Sequence, residues 1–215
     1  MVDWQQYETV LLDMDGTLLD LAFDNYFWRE LVPRCLARRH GIDQERARDD
    51  LFARYAEVHG SLEWYCLDYW TAELELDLRL LKAASSQRIR FLPGAREFLY
   101  WLSGSGKRIV LVTNAHQATL DVKTHVAGLE RFFSEFITSH ELGFPKEHAE
   151  FWPLLQERLA FDPGSTLFVD DNQAVLDTAA DFGLQGVIAI TGPDSRLDDN
   201  DVDTHLSVRR IVQLL

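Results

Sequence analysis

The chain has 215 residues, with 35 acidic against 21 basic side chains and a formal net charge of −14. That surplus opposes docking on a nucleic acid polymer or an anionic membrane, and no stretch reaches the ~18 uncharged residues that a membrane span needs. Hydrophobic residues make up 47% of the sequence, enough to bury the core of one domain, or of one domain carrying an insertion.

The opening MVDWQQYETV has no basic segment followed by an apolar run, so a cytoplasmic location is expected. The first strand signal is TVLLDMD, beginning at Thr9 and ending in Asp13 and Asp15, with Gly16 and Thr17 directly after. From residue 18 to about 90 the pattern is helical. It runs through DNYFWRELVPRCLARRHG, DQERARDDLFARYAEVHG with Asp43 as N-cap, and SLEWYCLDYWTAELELD with Ser61 as another. A helical insertion packed as a small bundle is expected over 18–90. Its aromatic side chains read mostly as that bundle's core, although Phe23, Tyr26, Phe27, Trp28, Trp64, Tyr65, Tyr69 and Trp70 are also of a kind that stacks on a planar base. Cys35 and Cys66 fall in these helical patterns and read as reduced core thiols rather than as a disulfide.

Phe91 to Gly94 marks the return to a sheet domain, with Pro93 suited to a helix start. The chain then alternates. Helical REFLYWLSGSG (96–106) precedes the strand RIVLVTN at 108; helical HQATLDVKTHVAG (116–128) precedes EFITS at 135. The loop GFPKE carries Lys146, a helix follows over 147–161, and TLFVDD at 166, a helix over 172–183 and GVIAI at 186 complete the series. The acidic tail 192–205 reads as a solvated connection before a last helix. Strands alternating with helices predict an α/β fold with a parallel sheet covered on both faces. The core comprises 1–17 and 91–215, interrupted by the helical segment 18–90.

Ligands of open parallel sheets sit beyond the carboxyl ends of the strands. Here those ends carry Asp13 and Asp15, Thr113 and Asn114, and Asp170 and Asp171, with Lys146 in the loop after the third strand. Asp13 and Asp15, two apart, project together if the strand extends that far. Two carboxylates ~4 Å apart repel by roughly 4 kcal/mol at an effective dielectric of 20, so a cluster of four implies a cation. An oxygen-only set without neighbouring His or Cys favours Mg²⁺ over zinc.

In this order, DMDGT after an apolar strand, a strand-end Thr, a later Lys and a strand-end DD resemble the haloacid dehalogenase superfamily, whose three-layer, Rossmann-like core is interrupted by a helical cap. The resemblance implies a phosphatase. Asp13 would be the nucleophile forming an aspartyl phosphate, and Asp15 would protonate the leaving oxygen and then activate water. Thr113 and the Asn114 amide would hold the phosphoryl oxygens, Lys146 would offset the anion and orient Asp13, and Mg²⁺ would sit on Asp13, the Asp15 carbonyl and Asp170. Asp171 would lie one layer further out or cap the following helix, and Gly16 would permit the turn in which Thr17 hydrogen-bonds. Lys123, by contrast, reads as a position whose loss costs far less than that of Lys146.

The stretches TVLLDMDGTLLDLAFDNYFW, WYCLDYW and FPKE are similar to the bacterial GMP/IMP 5′-nucleotidase subgroup, which implies purine nucleoside monophosphates as substrates. A sugar-phosphate phosphatase or a phosphomutase of the same superfamily stands as the enzymatic alternative, and an inactive binding protein or a phosphoacceptor as the non-enzymatic one. Asp15 argues against the dehalogenase branch. Phosphonate hydrolysis requires a cap lysine, for which only Lys82, near the end of the segment, is available. Asp24 and Asn25 sit where they could reach ribose or base, while His116 at a helix start reads as a capping or solvated residue.

Overall fold

The five apolar runs all form strands: β1 (Thr9–Leu12), β2 (Arg108–Thr113), β3 (Glu135–Thr138), β4 (Thr166–Asp170) and β5 (Gly186–Ile190). A short β6 (Leu206–Val208) joins them in one sheet of order β3-β2-β1-β4-β5-β6, with every neighbouring pair parallel. The computed structural model describes residues 2–202 and 204–215; Met1, at the head of the 1–17 segment, and Asp203, in the acidic tail, lie outside the described residues. β1 is central, with Leu12 level with Leu111 of β2 and Val169 of β4. All four of its residues are buried, as an apolar strand covered on both faces must be.

Between β1 and β2 lies the helical segment. α1 (Ala22–Tyr26) and α2 (Val32–His40) fuse through a π-turn at Phe27–Leu31, followed by α3 (Gln44–Val58), α4 (Leu62–Tyr65), α5 (Leu67–Leu74) and α6 (Leu78–Ser85). Asp43 caps α3 by accepting from the Glu45 and Arg46 amides at 2.8 and 3.4 Å. Ser61 holds the cap position of α4, but its hydroxyl donates backwards to the Val58 carbonyl at 2.7 Å, so the expected cap bond is not made. The third amphipathic stretch breaks at Cys66, which is extended (φ −83°, ψ 108°) and whose Sγ accepts from the Tyr69 amide. Both cysteines are free and half-buried, at the margin of the core rather than within it. Phe27, Leu36, Leu51, Trp70 and Leu78 form a hydrophobic core separate from those of the sheet.

α7 (Ala95–Ser103) and α8 (Gln117–Ala127) cover one face of the sheet, where Phe98, Leu99 and Leu120 pack with Val10 and Leu12. After the one-turn α9 (Ser139–Leu142), α10 (Phe151–Leu159) and α11 (Gln173–Phe182) cover the other face, packing Trp152, Leu155 and Leu176 with Leu11. The alternation of Val10, Leu11 and Leu12 between the faces is the period-2 pleat of a strand, and the result is a three-layer α/β core.

Three expectations are corrected here. Gly94, at φ +80°, holds the cap position of α7, so Pro93 precedes that helix rather than starting it. α10 begins at Phe151 instead of 147, because Pro145 and His148 accept from the amides of His148 and Phe151 in successive turns that leave Lys146 facing the sheet edge. The tail is not simply solvated. Asp194 is buried and accepts from the Asn25 side chain at 2.8 Å, and the Pro193 carbonyl accepts from the Leu21 amide at 3.0 Å. The loop therefore clasps the start of α1, and the chain continues into β6 and a single 3₁₀ turn at Ile211–Leu214.

Candidate active site

β1 ends at Leu12, but the Asp13 amide still donates to the Val169 carbonyl at 3.0 Å, which fixes Asp13 at the carboxyl edge of the sheet. The chain then turns tightly. The Leu18 and Leu19 amides both donate to the Met14 carbonyl, and the Gly16 amide donates to the Leu19 carbonyl at 2.7 Å. Gly16 stands at φ +87°, and a Cβ there would lie 2.4 Å from Asp171 Oδ2. The position therefore requires glycine for two reasons, the left-handed backbone and the close approach of a carboxylate. The strand stops before Asp15, and although Asp13 and Asp15 line the same cavity they pair with different lysines.

Lys146, 2% exposed, donates to Asp13 Oδ1 and to Asp170 Oδ2, both at 2.6 Å, and to the Val112 carbonyl at 3.2 Å. Asp170 Oδ1 accepts from the Asn172 amide at 2.8 Å. Asn172, not Asp171, caps α11, by accepting from the Ala174 amide at 3.0 Å. Asp171 is left with Asp13 and Asp170, each offering an oxygen within 4.8 Å of the others. Thr113 is buried and its hydroxyl accepts from the Ala115 amide at 3.0 Å. Asn114 accepts from the Lys146 amide at 2.9 Å and donates to Glu147 Oε2 at 2.8 Å. Thr17 is fully buried with its hydroxyl unpartnered and is not in the cavity wall, so the loop hydrogen bond expected of it is not formed.

The three-aspartate group fits a divalent cation. Its donors are all oxygens, one of them, Asp13 Oδ2, is buried without a partner, and Lys146 is the one ammonium paired with the group among the described residues. Burial raises the Asp13 carboxyl to about 7, with Lys146 opposing and Asp170 and Asp15 adding to the rise. Burial, then the charges of Asp170 and Asp13, lift Asp171 well above the usual carboxylate range. A bound cation would relieve this repulsion.

A second buried charge network was not anticipated from the sequence. Lys123 of α8, 0% exposed, pairs with Asp15 Oδ1 and Asp24 Oδ2, each at 2.6 Å. Lys82 of α6 reaches Asp24 Oδ1 at 3.3 Å and lies over the ring of Phe27. Lys123 is therefore no peripheral position, Asp24 is engaged on both oxygens, and Asn25 is turned to Asp194. Burial works against ionised Asp24, yet Lys123 and Lys82 hold its carboxyl below the ordinary value; burial likewise lowers Lys82. A third link is Tyr65 of α4, whose hydroxyl donates to Glu147 Oε1 at 2.7 Å. His116 caps α8 through Nδ1, and His140 packs edge-on against it at 4.9 Å.

Many of these side chains line one cavity of about 840 Å³. Asp13, Asp15, Asn114, Lys146 and Asp170 line its sheet end, and Trp28, Tyr55, Trp64, Tyr65 and Trp70 of the helical segment line the other. Residues 7–183 match the model of the haloacid dehalogenase-like hydrolases. The chain belongs to this family. It is similar to the GMP/IMP nucleotidase of Escherichia coli, at 39% identity over 217 residues, covering 100% of this chain and 98% of that one. It is more distantly similar to the phosphorylated carbohydrates phosphatase of Thermotoga maritima, at 23% identity with 85% of each chain covered. Among solved structures, a HAD phosphatase from Thermococcus onnurineus superposes with a TM-score of 0.79 at 23% identity, covering 96% of this chain and 95% of that one. The magnesium-bound HAD hydrolase YfnB of Bacillus subtilis superposes with a TM-score of 0.71 at 21% identity, covering 97% and 96%. Both share the parallel core and the inserted helices. Among the described residues no helix is long and apolar enough to cross a membrane.

Proposed function

We propose that this hydrolase is a Mg²⁺-dependent phosphomonoesterase acting through an aspartyl phosphate on Asp13, with the purine nucleoside monophosphates GMP and IMP as substrates. The observation that carries it is the state of Asp13: one carboxylate oxygen is fixed by Lys146 and the other is unpaired, at the sheet end of a cavity large enough for a nucleotide. The substrate assignment draws support from the printed activity of the 39% identical relative and from the aromatic far end of the cavity.

Asp13 attacks phosphorus along the line of the ester bond, and the leaving 5′ oxygen takes a proton from Asp15. Burial, opposed by Lys123, raises the Asp15 carboxyl, which favours the protonated form needed for that step. Ionised Asp15 then takes a proton from water as that water attacks phosphorus, breaking the Asp13–phosphorus bond and releasing inorganic phosphate. Lys146, the Thr113 hydroxyl and the Asn114 amide stabilise the charge spread over the phosphoryl oxygens. Asp13, Asp170 and the Asp15 carbonyl would hold Mg²⁺, with Asp171 behind them; when bound it neutralises phosphoryl charge and sets the phosphate in line with Asp13.

Residues 18–90 act as the cap over a core made of 1–17 and 91–215. This assignment is supported by the bridge between Leu19 and Phe91 and by the Leu92 amide donating to the Leu18 carbonyl at 2.8 Å, which bring the two ends of the insertion together. The reading places the enzyme in the cytoplasm with a small phosphate ester as its partner. The test is a panel of phosphate esters with Mg²⁺, with Asp13→Asn as control. The expected result is fastest turnover of GMP and IMP and none by the variant. Equal rates on sugar phosphates would overturn the purine assignment, and near-native turnover by Asp13→Asn would overturn the covalent route.

A further inference from the structure

The cap end of the cavity takes its shape from an irregularity in one helix. Pro33 has no N–H to give to the carbonyl four residues back, that of Arg29, and its ring crowds that carbonyl. The helix relaxes into the π-turn Phe27–Leu31, where the Val32 amide bonds the Phe27 carbonyl, five residues back. Trp28 and Arg29, within this turn, both line the cavity, together with Phe52 and Tyr55 of α3, His59 directly after it and Trp64 of α4.

Most polar groups of this recess are already engaged. Tyr55 donates to the Trp28 carbonyl, Trp70 to the Trp64 carbonyl, Tyr65 to Glu147 and Asn25 to Asp194. The wall carboxylates Asp15 and Asp24 are held by Lys123 and Lys82. Arg29, an exposed residue on the cavity wall, makes no side-chain hydrogen bond or ion pair to any described residue. The recess therefore presents aromatic faces, with the unpaired and exposed side chain of Arg29 at its wall. A guanidinium only donates, and its planar fork matches two neighbouring acceptors.

We propose that Arg29 determines base specificity, donating to O6 and N7 of a 6-oxopurine stacked among these aromatic rings. Guanine and hypoxanthine present two acceptors on that edge; adenine presents one acceptor and an amine that opposes another donor. The inference rests on the nucleotidase reading above and names the residue that narrows it to GMP and IMP over AMP. The 2-amino group that separates guanine from hypoxanthine has no assigned acceptor here, so both are substrates.

The test measures kcat/KM with Mg²⁺ on GMP, IMP, AMP and ribose 5-phosphate for the wild type, Arg29→Met and Arg29→Lys. The wild type is expected to favour GMP and IMP over AMP by about 10- to 100-fold, the worth of one bidentate base contact. In Arg29→Met that ratio falls toward unity, through a rise in KM for GMP and IMP, and the ratio of GMP to ribose 5-phosphate falls with it. Arg29→Lys, with a point charge in place of the fork, restores only part of the preference. A GMP to AMP ratio unchanged in Arg29→Met, or an equal loss on all four esters, overturns the role of Arg29 and leaves the nucleotidase reading intact. A wild type that hydrolyses ribose 5-phosphate as well as GMP overturns both.

Discussion

Replacing Lys123 by methionine tests the second charge network, because it keeps the volume and apolar stem of a fully buried side chain while removing two 2.6 Å ion pairs at once. Asp15 then has no cation in contact and Asp24 keeps only Lys82, at 3.3 Å. Breaking a buried pair by deleting one partner costs about 3–5 kcal/mol, chiefly because a desolvated charge is left behind. For a chain of this size each kcal/mol lowers Tm by about 2–4 °C, so a drop of about 6–20 °C is expected in thermal melts followed by circular dichroism. Turnover falls as well, by about 100-fold or more, since general acid–base catalysis of that size depends on the orientation of Asp15. Arg79→Ala is the comparison. Arg79 makes three hydrogen bonds to Asp68, but both side chains are more than half exposed, and such pairs are worth about 0.2–1 kcal/mol. If Lys123→Met costs no more than Arg79→Ala, burial is not what gives this network its energy and the argument fails.

Gly16→Ala forces a Cβ to 2.4 Å from the Asp171 carboxylate in a left-handed turn, so activity is expected to fall at least tenfold, and an alanine variant with native kcat would refute the close approach. Tyr65→Phe removes the bond to Glu147, which also holds Asn114; a several-fold loss in kcat/KM, larger than for Tyr69→Phe, is the expected steady-state result. The folded Asp24 carboxyl lies below its ordinary value of about 4, so it contributes stability above that pH and loses it as the pH falls further. Denaturant titrations should therefore show Asp24→Asn weaker than wild type at pH 7, with the gap closing as the pH falls below the ordinary carboxylate value. Adding Mg²⁺ at about 100 times its Kd should stabilise the wild type by about 2.7 kcal/mol, and Asp170→Asn by much less.

The sheet and its reactive edge were legible because strand composition and strand-end residues are local signals. A buried parallel strand must be apolar, and polar residues crowding its carboxyl end have few structural reasons to be there. The cap was legible as helical but not in its breaks. Nothing in WYCLDYW announces that Cys66 is extended, since the break is set by packing Trp70 and Leu74 into the cap core. Lys123 and Lys82 left a signal that can be read. Lys123 stands four after Thr119 and three after Leu120, on the inward face of α8, and Lys82 stands four after Leu78 and three before Ser85, all of them buried. A lysine in register with an apolar stripe is costly unless it is paired, so each position pointed to a buried carboxylate partner. That partner cannot be named from sequence, because Asp24 lies 99 residues from Lys123.

The separation of Asp13 from Asp15 explains how neighbouring aspartates can take unlike roles. Around Asp13, three carboxylates face one ammonium, Lys146, and the group keeps an excess of negative charge. Around Asp15, two carboxyl groups face two ammonium groups, so there is no excess of negative charge. The first can take up a divalent cation with a net gain; the second has no such deficit, and a cation there would have to displace a lysine. The turn at Gly16 creates the difference by ending β1 one residue before the edge and sending the second aspartate toward α8. This second network also joins the core, through Asp15 and Lys123, to both ends of the cap, through Asp24 of α1 and Lys82 of α6. Any hinge motion that moves α1 and α6 away from α8 must part the buried Lys123–Asp24 pair and leave Lys123 with Asp15 alone, so the charge balance around Asp15 is tied to the position of the cap.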